Sequence, residues 1–176
     1  MREEKNLEAA VRAAIKTTLP GLWRFALSLS RQPDVADDLT QATCLRALER
    51  YGTLRDTTRL DAWLMTICRS IWLNELRSRT VRQTMSLSEQ PDLQISDLKP
   101  DAETNIFAAE VFTQVMALPE AQRAAAILVF VEGYSYREAA DILDVPIGTI
   151  MSRLSTVRAK LREGTSDVAQ SGGRDI

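Results

Sequence analysis

The chain has 176 residues, 45% of them hydrophobic, and a formal net charge of −2, which fits one globular domain or two small ones. It contains no histidine, and its two cysteines, Cys44 and Cys68, form no metal-ligand pattern. These counts exclude histidine-based acid–base catalysis, Ser-His-Asp or Cys-His nucleophiles and histidine-ligated metals. We therefore expect that the protein is not an enzyme and that it binds no metal and no cofactor. For both cysteines, a reduced and buried thiol is favoured over a redox switch.

The composition predicts an all-α fold. Only 7 glycines and 6 prolines occur, which argues against a turn-rich β-fold, and alanine, leucine, arginine and glutamate are abundant, which favours helices. No apolar run approaches the ~18 residues of a transmembrane helix. The N-terminal segment lacks the apolar core of a signal peptide, so we expect a cytoplasmic protein.

The first predicted helix spans residues 7–30 and is amphipathic, with a break expected near Pro20 and Gly21. A turn at residues 32–34 should follow, with Asp34 as the N-cap of the next helix.

The second predicted helix runs from Val35 to Tyr51 and is ended by Gly52. A polar loop at residues 53–59 then leads to a third helix, from about Leu60 to Arg79. In the second helix, five apolar residues are expected to face inward: Val35, Leu39, Ala42, Leu45 and Leu48.

Residues 81–104 interrupt the helical pattern and are predicted to form a flexible linker, because they carry two prolines, an acidic excess and no sustained period. The expected organisation is therefore two small helical domains, residues 1–80 and 105–164, followed by a frayed tail at 165–176. The second domain should begin with two helices: Asn105–Leu118 and Pro119–Val131, the latter closed by Gly133.

A helix-turn-helix is predicted for residues 135–162. Ser135 and Glu138 have the spacing of a capping box, and Pro146 and Gly148 punctuate the chain before a second helix. The apolar residues of that second helix form a single stripe: Ile147, Ile150, Leu154, Val157 and Leu161. Its polar and basic residues face elsewhere, as in a helix that enters the DNA major groove.

Charge favours DNA binding over an ordinary helical hairpin with a solvated outer face. Residues 149–162 contain four basic side chains and no acidic one, although the whole chain is negative. A second basic stretch, residues 60–82, carries Trp63 and Trp72 on a helix that ends in arginines, and it could follow a DNA backbone. For Trp63 a core position is favoured over a stacking role, whereas for Trp72 the two alternatives are equally open.

Three segments resemble the bacterial extracytoplasmic-function sigma factors of the sigma-70 family. Residues 34–48 (DVADDLTQATCLRAL) and 60–79 (LDAWLMTICRSIWLNELRSR) resemble region 2, the promoter-melting domain. Residues 118–161, which begin LPEAQR and include GYSYREAADILDVPIGTIMSRL, resemble region 4, which binds the −35 element. The ADDL and AWL segments and the short N-terminus are similar to the alphaproteobacterial general stress response branch.

The resemblance implies a transcription initiation factor whose partners are core RNA polymerase (its β′ clamp helices and β flap), promoter DNA and an anti-sigma factor. It places polymerase contacts at Asp38, Leu39 and Gln41. It places contacts with the −10 element at Trp63, Arg69, Ser70, Asn74, Arg77 and Arg79. It places contacts with the −35 element at Thr149, Ser152, Arg153, Thr156, Arg158 and Lys160.

The sequence also departs from the family pattern. Ala42 replaces a usual glutamate, Cys44 a large apolar residue, and Ser70 a frequent asparagine. Met151 replaces a frequent lysine or arginine of the recognition helix, so one phosphate or base contact is expected to be missing.

Two alternatives to a sigma factor remain open at this point. One is a polymerase-independent helix-turn-helix regulator, which would need a dimer interface that the sequence does not supply. The other is a sigma mimic that sequesters an anti-sigma factor without binding DNA, which the retained arginines disfavour.

Overall fold

The structure is a computed structural model in which residues 2–54, 57–85 and 106–171 are described. All regular elements in these ranges are helical, and the chain divides into two compact units, residues 1–94 and 95–176. The predicted all-α, two-domain architecture is thereby confirmed. Most of the expected linker lies outside the described residues, so the domain limits drawn there stay predictions.

In its described residues, the first unit consists of three helices, each of which packs against the other two. They are α1 (Arg2–Ser30), α2 (Pro33–Arg50) and α3 (Leu60–Met85), and a short 3₁₀ turn, Tyr51–Thr53, follows α2. The core side chains with almost no exposed surface come chiefly from α1 and α3: Val11, Leu22, Phe25, Leu27, Leu64 and Met65. Burial of a large apolar side chain contributes about 1.5–3 kcal/mol, so this core is the main stabilising feature of the unit.

The break expected in α1 is absent, because the helix continues through Pro20. Proline in a helix interior removes one backbone hydrogen bond and disturbs the preceding turn. Here Val11 before the proline and Leu22 and Phe25 after it are all buried, so both halves of α1 are held in the same bundle. Tertiary packing therefore outweighs the local preference for a break.

Helix α2 starts earlier than predicted and buries a different face. Gln32, in extended conformation, occupies the N-cap position and Pro33 the first turn, so the prediction of Asp34 as N-cap is wrong. The fixed φ of proline suits the first helical position. Leu45, predicted to face inward, is 60% exposed, because it lies opposite the buried face of α2. That face consists of small or hydroxyl-bearing residues and one leucine: Ala36, Leu39, Thr40, Thr43 and Ala47.

Helix α3 extends to Met85, so the first residues of the expected linker, 81–85, are helical. The predicted tail is likewise partly helical, since the last helix of the chain continues to Ser171. In both places a helix already stabilised by core packing continues beyond its last buried residue.

Between residues 106 and 171, the second unit contains four α-helices: α4 (Ile106–Ala117), α5 (Glu120–Ala126), α6 (Tyr136–Ile142) and α7 (Ile147–Ser171). Helix α7 packs on each of the other three, so it is the central element of this unit. A π-helical turn, Ile127–Val131, continues α5, and Gly133 ends it with a positive φ of 77°, as predicted. The buried side chains of the unit include Met116, Leu128, Ile142, Ile150, Leu154 and Val157.

A buried arginine closes the end of α4. Arg123 is only 2% exposed and donates from Nη1 to the carbonyl oxygens of Leu118, at 2.6 Å, and Met116, at 3.4 Å. The last carbonyls of a helix have no hydrogen-bond partner within it and carry its negative partial charge. A guanidinium supplies both the hydrogen-bond donors and a positive charge. The guanidinium thereby holds α5 against the end of α4.

Candidate nucleic-acid interface

The helix-turn-helix of the second unit forms as the sequence predicts. The backbone N–H of Ser135 donates to Glu138 Oε2 at 2.8 Å, and the N–H of Glu138 donates to Ser135 Oγ at 3.3 Å, which completes the capping box. Asp144 has a positive φ of 45°, the left-handed conformation that lets the chain reverse between α6 and α7. Pro146 precedes the first residue of α7, and its carbonyl accepts from the N–H of Thr149 at 2.9 Å.

Helix α7 buries the predicted stripe with one exception. Ile150, Leu154 and Val157 are fully buried, and Leu161 is half-buried. Ile147, also predicted to be buried, is 39% exposed, because as the first residue of α7 it lies at the edge of the packed face. Burial of this stripe fixes how α7 is rotated about its own axis. It therefore also determines where the predicted −35 residues of α7 lie.

The predicted −35 residues lie on the part of α7 that faces away from the core. Ser152, Thr156 and Lys160 are exposed, Thr149 is half-buried, and Arg153 is half-buried beside the packed stripe. The Thr156 hydroxyl donates to the backbone carbonyl of Ser152 at 3.1 Å. A helix with this surface presents hydroxyls in its middle and cations at its edges, which matches base edges and phosphates respectively.

Arg158 is held by two aromatic residues from outside α7. Its Nη2 donates to the hydroxyl of Tyr136, in α6, and its guanidinium carbon lies 5.5 Å from the ring centroid of Phe130. A guanidinium over an aromatic face is attracted by the ring quadrupole. Arg158 is therefore preorganised at one edge of α7, a feature that the helical spacing alone did not reveal.

Four of the six predicted −10 residues share one side of α3. At 100° per residue, Trp63, Ser70, Asn74 and Arg77 fall within about 60° of one another. Arg77 Nη1 donates to Asn74 Oδ1 at 3.0 Å, and Ser70, Asn74 and Arg77 are all exposed. Trp63 is half-buried and packs against a cluster that includes Val11, Leu64 and Ile67. Part of its ring therefore contacts the core, and the rest is accessible to solvent.

Arg69 and Arg79 lie on other sides of α3. Arg69 is half-buried and about 120° around the helix from Trp63. Arg79 Nε pairs with Glu75 Oε1 at 2.9 Å, and its guanidinium carbon is 5.7 Å from the ring centroid of Trp72. Trp72 is only 5% exposed, so of the two open alternatives for this residue the structure shows the core position.

The predicted polymerase residues lie along α2, between two grooves. Asp38 and Leu39 line a groove of about 270 Å³ between α2 and α3, which Arg79 also lines. Gln41 lines a larger groove, of about 610 Å³, between α1 and α2. Asp38 and Gln41 are exposed, whereas Leu39 is 5% exposed and belongs to the core.

The larger groove contains residues that sequence reasoning missed. Leu19 is 43% exposed, and Trp23 Nε1 donates to Asp37 Oδ1 at 2.7 Å across the two helices. The hydroxyl of Thr40, which lines the same groove, is buried and has no hydrogen-bond partner among the described residues. The sequence signal for this groove is an apolar residue next to a proline, Leu19-Pro20, but the same proline also predicts a break in the helix.

The two cysteines differ in their environment. Cys68 is fully buried as predicted, but Cys44 is only half-buried, because it lies at the border of the buried face of α2. Burial raises the pKa of the Cys68 thiol from 9.0 to about 12, while a hydrogen bond with Thr43 opposes the shift and the neighbouring Cys44 adds to it. Burial also raises the pKa of Cys44. Both thiols are therefore neutral at pH 7 and poor nucleophiles.

Comparison with known proteins identifies the family. Residues 14–82 match the family model described as Sigma-70 region 2, and residues 109–161 match that described as Sigma-70, region 4. The chain is 36% identical over 155 residues to the ECF RNA polymerase sigma factor EcfG of Rhodopseudomonas palustris (strain TIE-1). The aligned region covers 88% of this chain and 84% of EcfG. The chain belongs to the extracytoplasmic-function sigma factors of the sigma-70 family.

This sigma factor is also 34% identical over 154 residues to the ECF RNA polymerase sigma factor SigC of Mycobacterium tuberculosis (strain CDC 1551 / Oshkosh), covering 86% of this chain and 81% of SigC. Among solved structures it is similar to the sigma factor RpoE of Bartonella quintana, co-crystallised with the anti-sigma factor NepR. That similarity has a TM-score of 0.77 and 31% identity, and it covers 88% of this chain and 96% of RpoE.

Membership of this family establishes what the molecule does. Sigma factors bind core RNA polymerase and direct it to promoters, and they are initiation factors rather than enzymes. Within the described ranges, no helix combines the length and apolar character needed to cross a membrane.

Proposed function

We propose that this sigma factor divides promoter recognition between its two units, with α7 on the −35 element, one side of α3 on the −10 element, and α2 on the polymerase. The observation that carries the proposal is the orientation of α7, whose buried stripe leaves a polar face flanked by basic residues. The three surfaces lie on three different helices, so each can be tested by a separate substitution.

At the −35 element, α7 enters the major groove. Arg153 and Lys160 lie at one edge and Arg158 at the other, where they neutralise phosphates or bind guanine, while Thr149, Ser152 and Thr156 face the bases. Phosphate contacts fix the position of the helix and are strongly salt-dependent, whereas base contacts select the sequence.

At the −10 element, the α3 side with Trp63, Ser70, Asn74 and Arg77 receives the opened strand. Extrusion of a base costs a few kcal/mol, which stacking on an accessible aromatic edge and pairing of phosphates with arginine offset. Arg79 contributes less to this surface, because its guanidinium is already paired with Glu75 and stacked on Trp72.

On the polymerase side, the exposed Asp38 and Gln41 contact the β′ clamp helices, and the buried Leu39 holds α2 in place for them. The second unit contacts the β flap. Because the polymerase is the partner, the chain acts in the cytoplasm. The similarity to EcfG and to RpoE of Bartonella quintana supports a role in the alphaproteobacterial general stress response.

An anti-sigma factor is the expected inhibitor, because the similar sigma factor RpoE was crystallised with NepR. The groove between α1 and α2 suits an apolar helix of such an inhibitor, since its lining is mainly apolar and includes the exposed Leu19. Gln41 lines the same groove, so an inhibitor bound there would cover part of the polymerase surface.

The decisive experiment is run-off transcription with purified core polymerase, this protein and a library of promoter fragments, with core polymerase alone as the control. Transcripts from defined start sites that require the protein are expected. Tight binding of the protein alone to duplex DNA, without defined transcripts, would instead indicate the polymerase-independent regulator. A protein that binds an anti-sigma factor but binds neither promoter DNA nor core polymerase would instead be the sigma mimic.

A further inference from the structure

Met151 is an anomaly on the outer surface of α7. Its side chain is 51% exposed, although α7 has a buried stripe on another side. The large apolar residues of α7 that belong to the core, Ile150, Leu154 and Val157, are fully buried. Core packing therefore does not account for a long thioether side chain that projects from the helix.

The position of Met151 relative to the cations defines what it faces. At 100° per residue, Arg153 and Lys160 lie on one side of the buried stripe, and Arg158 lies on the other. Arg158 is held at its edge by Tyr136 and Phe130. If these cations contact the two phosphate strands, the surface between them faces the base pairs.

Between residues 148 and 160, that surface contains one large side chain, Met151. Its other residues are glycine, alanine or small hydroxyl residues: Gly148, Thr149, Ser152, Ser155, Thr156 and Ala159. A Cβ added at Gly148 would have no neighbour within 4 Å, so the N-terminal part of α7 is open to a close approach by DNA. Met151 is the fifth residue of α7, in the part of a recognition helix that contacts base edges.

The chemistry of the surface limits what it can recognise. Hydroxyl groups both donate and accept hydrogen bonds, so serine and threonine pair with any base and discriminate weakly. A thioether is apolar and polarizable and offers no strong hydrogen bond. The one apolar group on a base edge in the major groove is the C5-methyl of thymine.

We propose that Met151 reads a thymine of the −35 element through contact of its thioether with the C5-methyl group. The proposal rests on the proposed assignment of α7 to the −35 element. In place of the phosphate or base contact expected to be missing at this position, Met151 supplies an apolar contact that selects sequence. Ile147, one turn earlier on the same side and 39% exposed, extends the apolar edge.

The test removes the methyl group alone. In a promoter found by run-off transcription, each thymine of the −35 element on either strand is replaced in turn by deoxyuridine, and binding by the holoenzyme is measured in competition with the unmodified promoter. We expect loss of one methyl contact to weaken binding about fourfold at one position, from ~0.8 kcal/mol per buried methylene-sized group. Deoxyuridine at other positions should have little effect.

The variants assign that effect to Met151. Met151→Gln, of similar length but polar, should bind thymine and deoxyuridine promoters equally, whereas Met151→Leu should keep the preference. Val131 is 52% exposed on a different element, so Val131→Gln is a matched control and should keep the full preference.

Three outcomes would overturn the proposal. They are a wild-type holoenzyme indifferent to every thymine-to-deoxyuridine change, an unaltered preference in Met151→Gln, and a Met151→Gln protein that loses core polymerase binding instead. Each is distinguishable from failure of the proposed function, in which the wild-type protein itself yields no defined transcripts.

Discussion

Arg153 and Leu154 are neighbours in the sequence of α7, but their side chains have different surroundings. Arg153 is half-buried at the border of the packed stripe, whereas Leu154 has no exposed surface. Arg153→Ala should lower transcription from −35-dependent promoters about tenfold or more, since a good base contact contributes ~1–3 kcal/mol of discrimination. Its melting temperature should change little, because an exposed or bordering charge contributes only about 0–1 kcal/mol to stability.

Leu154→Ala is the matched comparison and should destabilise the second unit by about 2–5 kcal/mol, the usual cost of truncating a buried leucine. Transcription and thermal denaturation of both variants separate the two effects. An Arg153→Ala protein whose lost activity merely parallels lost stability would place the recognition surface elsewhere.

At the same scale, the raised pKa of Cys68 should make the free energy of unfolding depend on pH. Its pKa is raised from 9.0 to about 12 in the folded protein, so the unfolded chain loses this proton first as the pH rises. The stabilising contribution of the neutral thiol is therefore complete below pH 9.0 and is lost progressively between 9.0 and about 12. Urea unfolding of wild type and Cys68→Ala at pH 8 to 10.5 should show a steeper decline for wild type, by up to about 1.4 kcal/mol per pH unit. Parallel pH profiles would show that Cys68 does not titrate in this way.

At the scale of the element, α3 presents two arginines that the sequence did not distinguish. Arg77 bonds only to the neutral amide of Asn74 in the described residues, whereas Arg79 has a carboxylate partner and an aromatic ring. Arg77→Ala should therefore weaken open-complex formation and reduce the magnitude of its salt slope by about one, the value of a single phosphate contact. Arg79→Ala should leave that slope nearly unchanged.

Open-complex formation measured over a range of salt concentrations, with core binding as the control, checks this prediction. An equal effect of the two substitutions would mean that Arg79 leaves Glu75 to contact DNA. Loss of core binding in Arg77→Ala would assign this side of α3 to the polymerase.

Helical periodicity identified every element that carries the candidate site, and local chemistry fixed the capping box and the end of the π-helical turn at Gly133. Periodicity could not decide which side of α2 is buried, because that depends on the residues of α1 and α3 that meet it. For this reason the periodicity predicts that Leu45 faces inward, whereas the structure shows it exposed. The continuity of α1 through Pro20 and the burial of Arg123 have the same origin, since both depend on neighbours distant in sequence.

At the scale of the whole molecule, the groove between α1 and α2 predicts direct competition. An anti-sigma factor that occupies the groove covers Gln41, so saturating inhibitor should abolish core polymerase binding rather than only weaken promoter binding. Leu19→Glu should reduce inhibitor affinity, because a charge would replace an exposed apolar contact. Equilibrium titration of the polymerase complex with inhibitor measures this, and a ternary complex of undiminished affinity would contradict it.

Trp23 gives this groove an intrinsic optical label. The chain has three tryptophans, of which Trp72 is buried, Trp63 packs against the core, and Trp23 lines the groove with its indole bonded to Asp37. Of the three indoles, Trp23 is therefore the one that a partner in this groove would transfer from water to an apolar contact. Its fluorescence emission should shift to shorter wavelength when a partner binds in the groove. Binding of the inhibitor to the unlabelled protein can therefore be followed in a fluorimeter, and Trp23→Phe should abolish the shift.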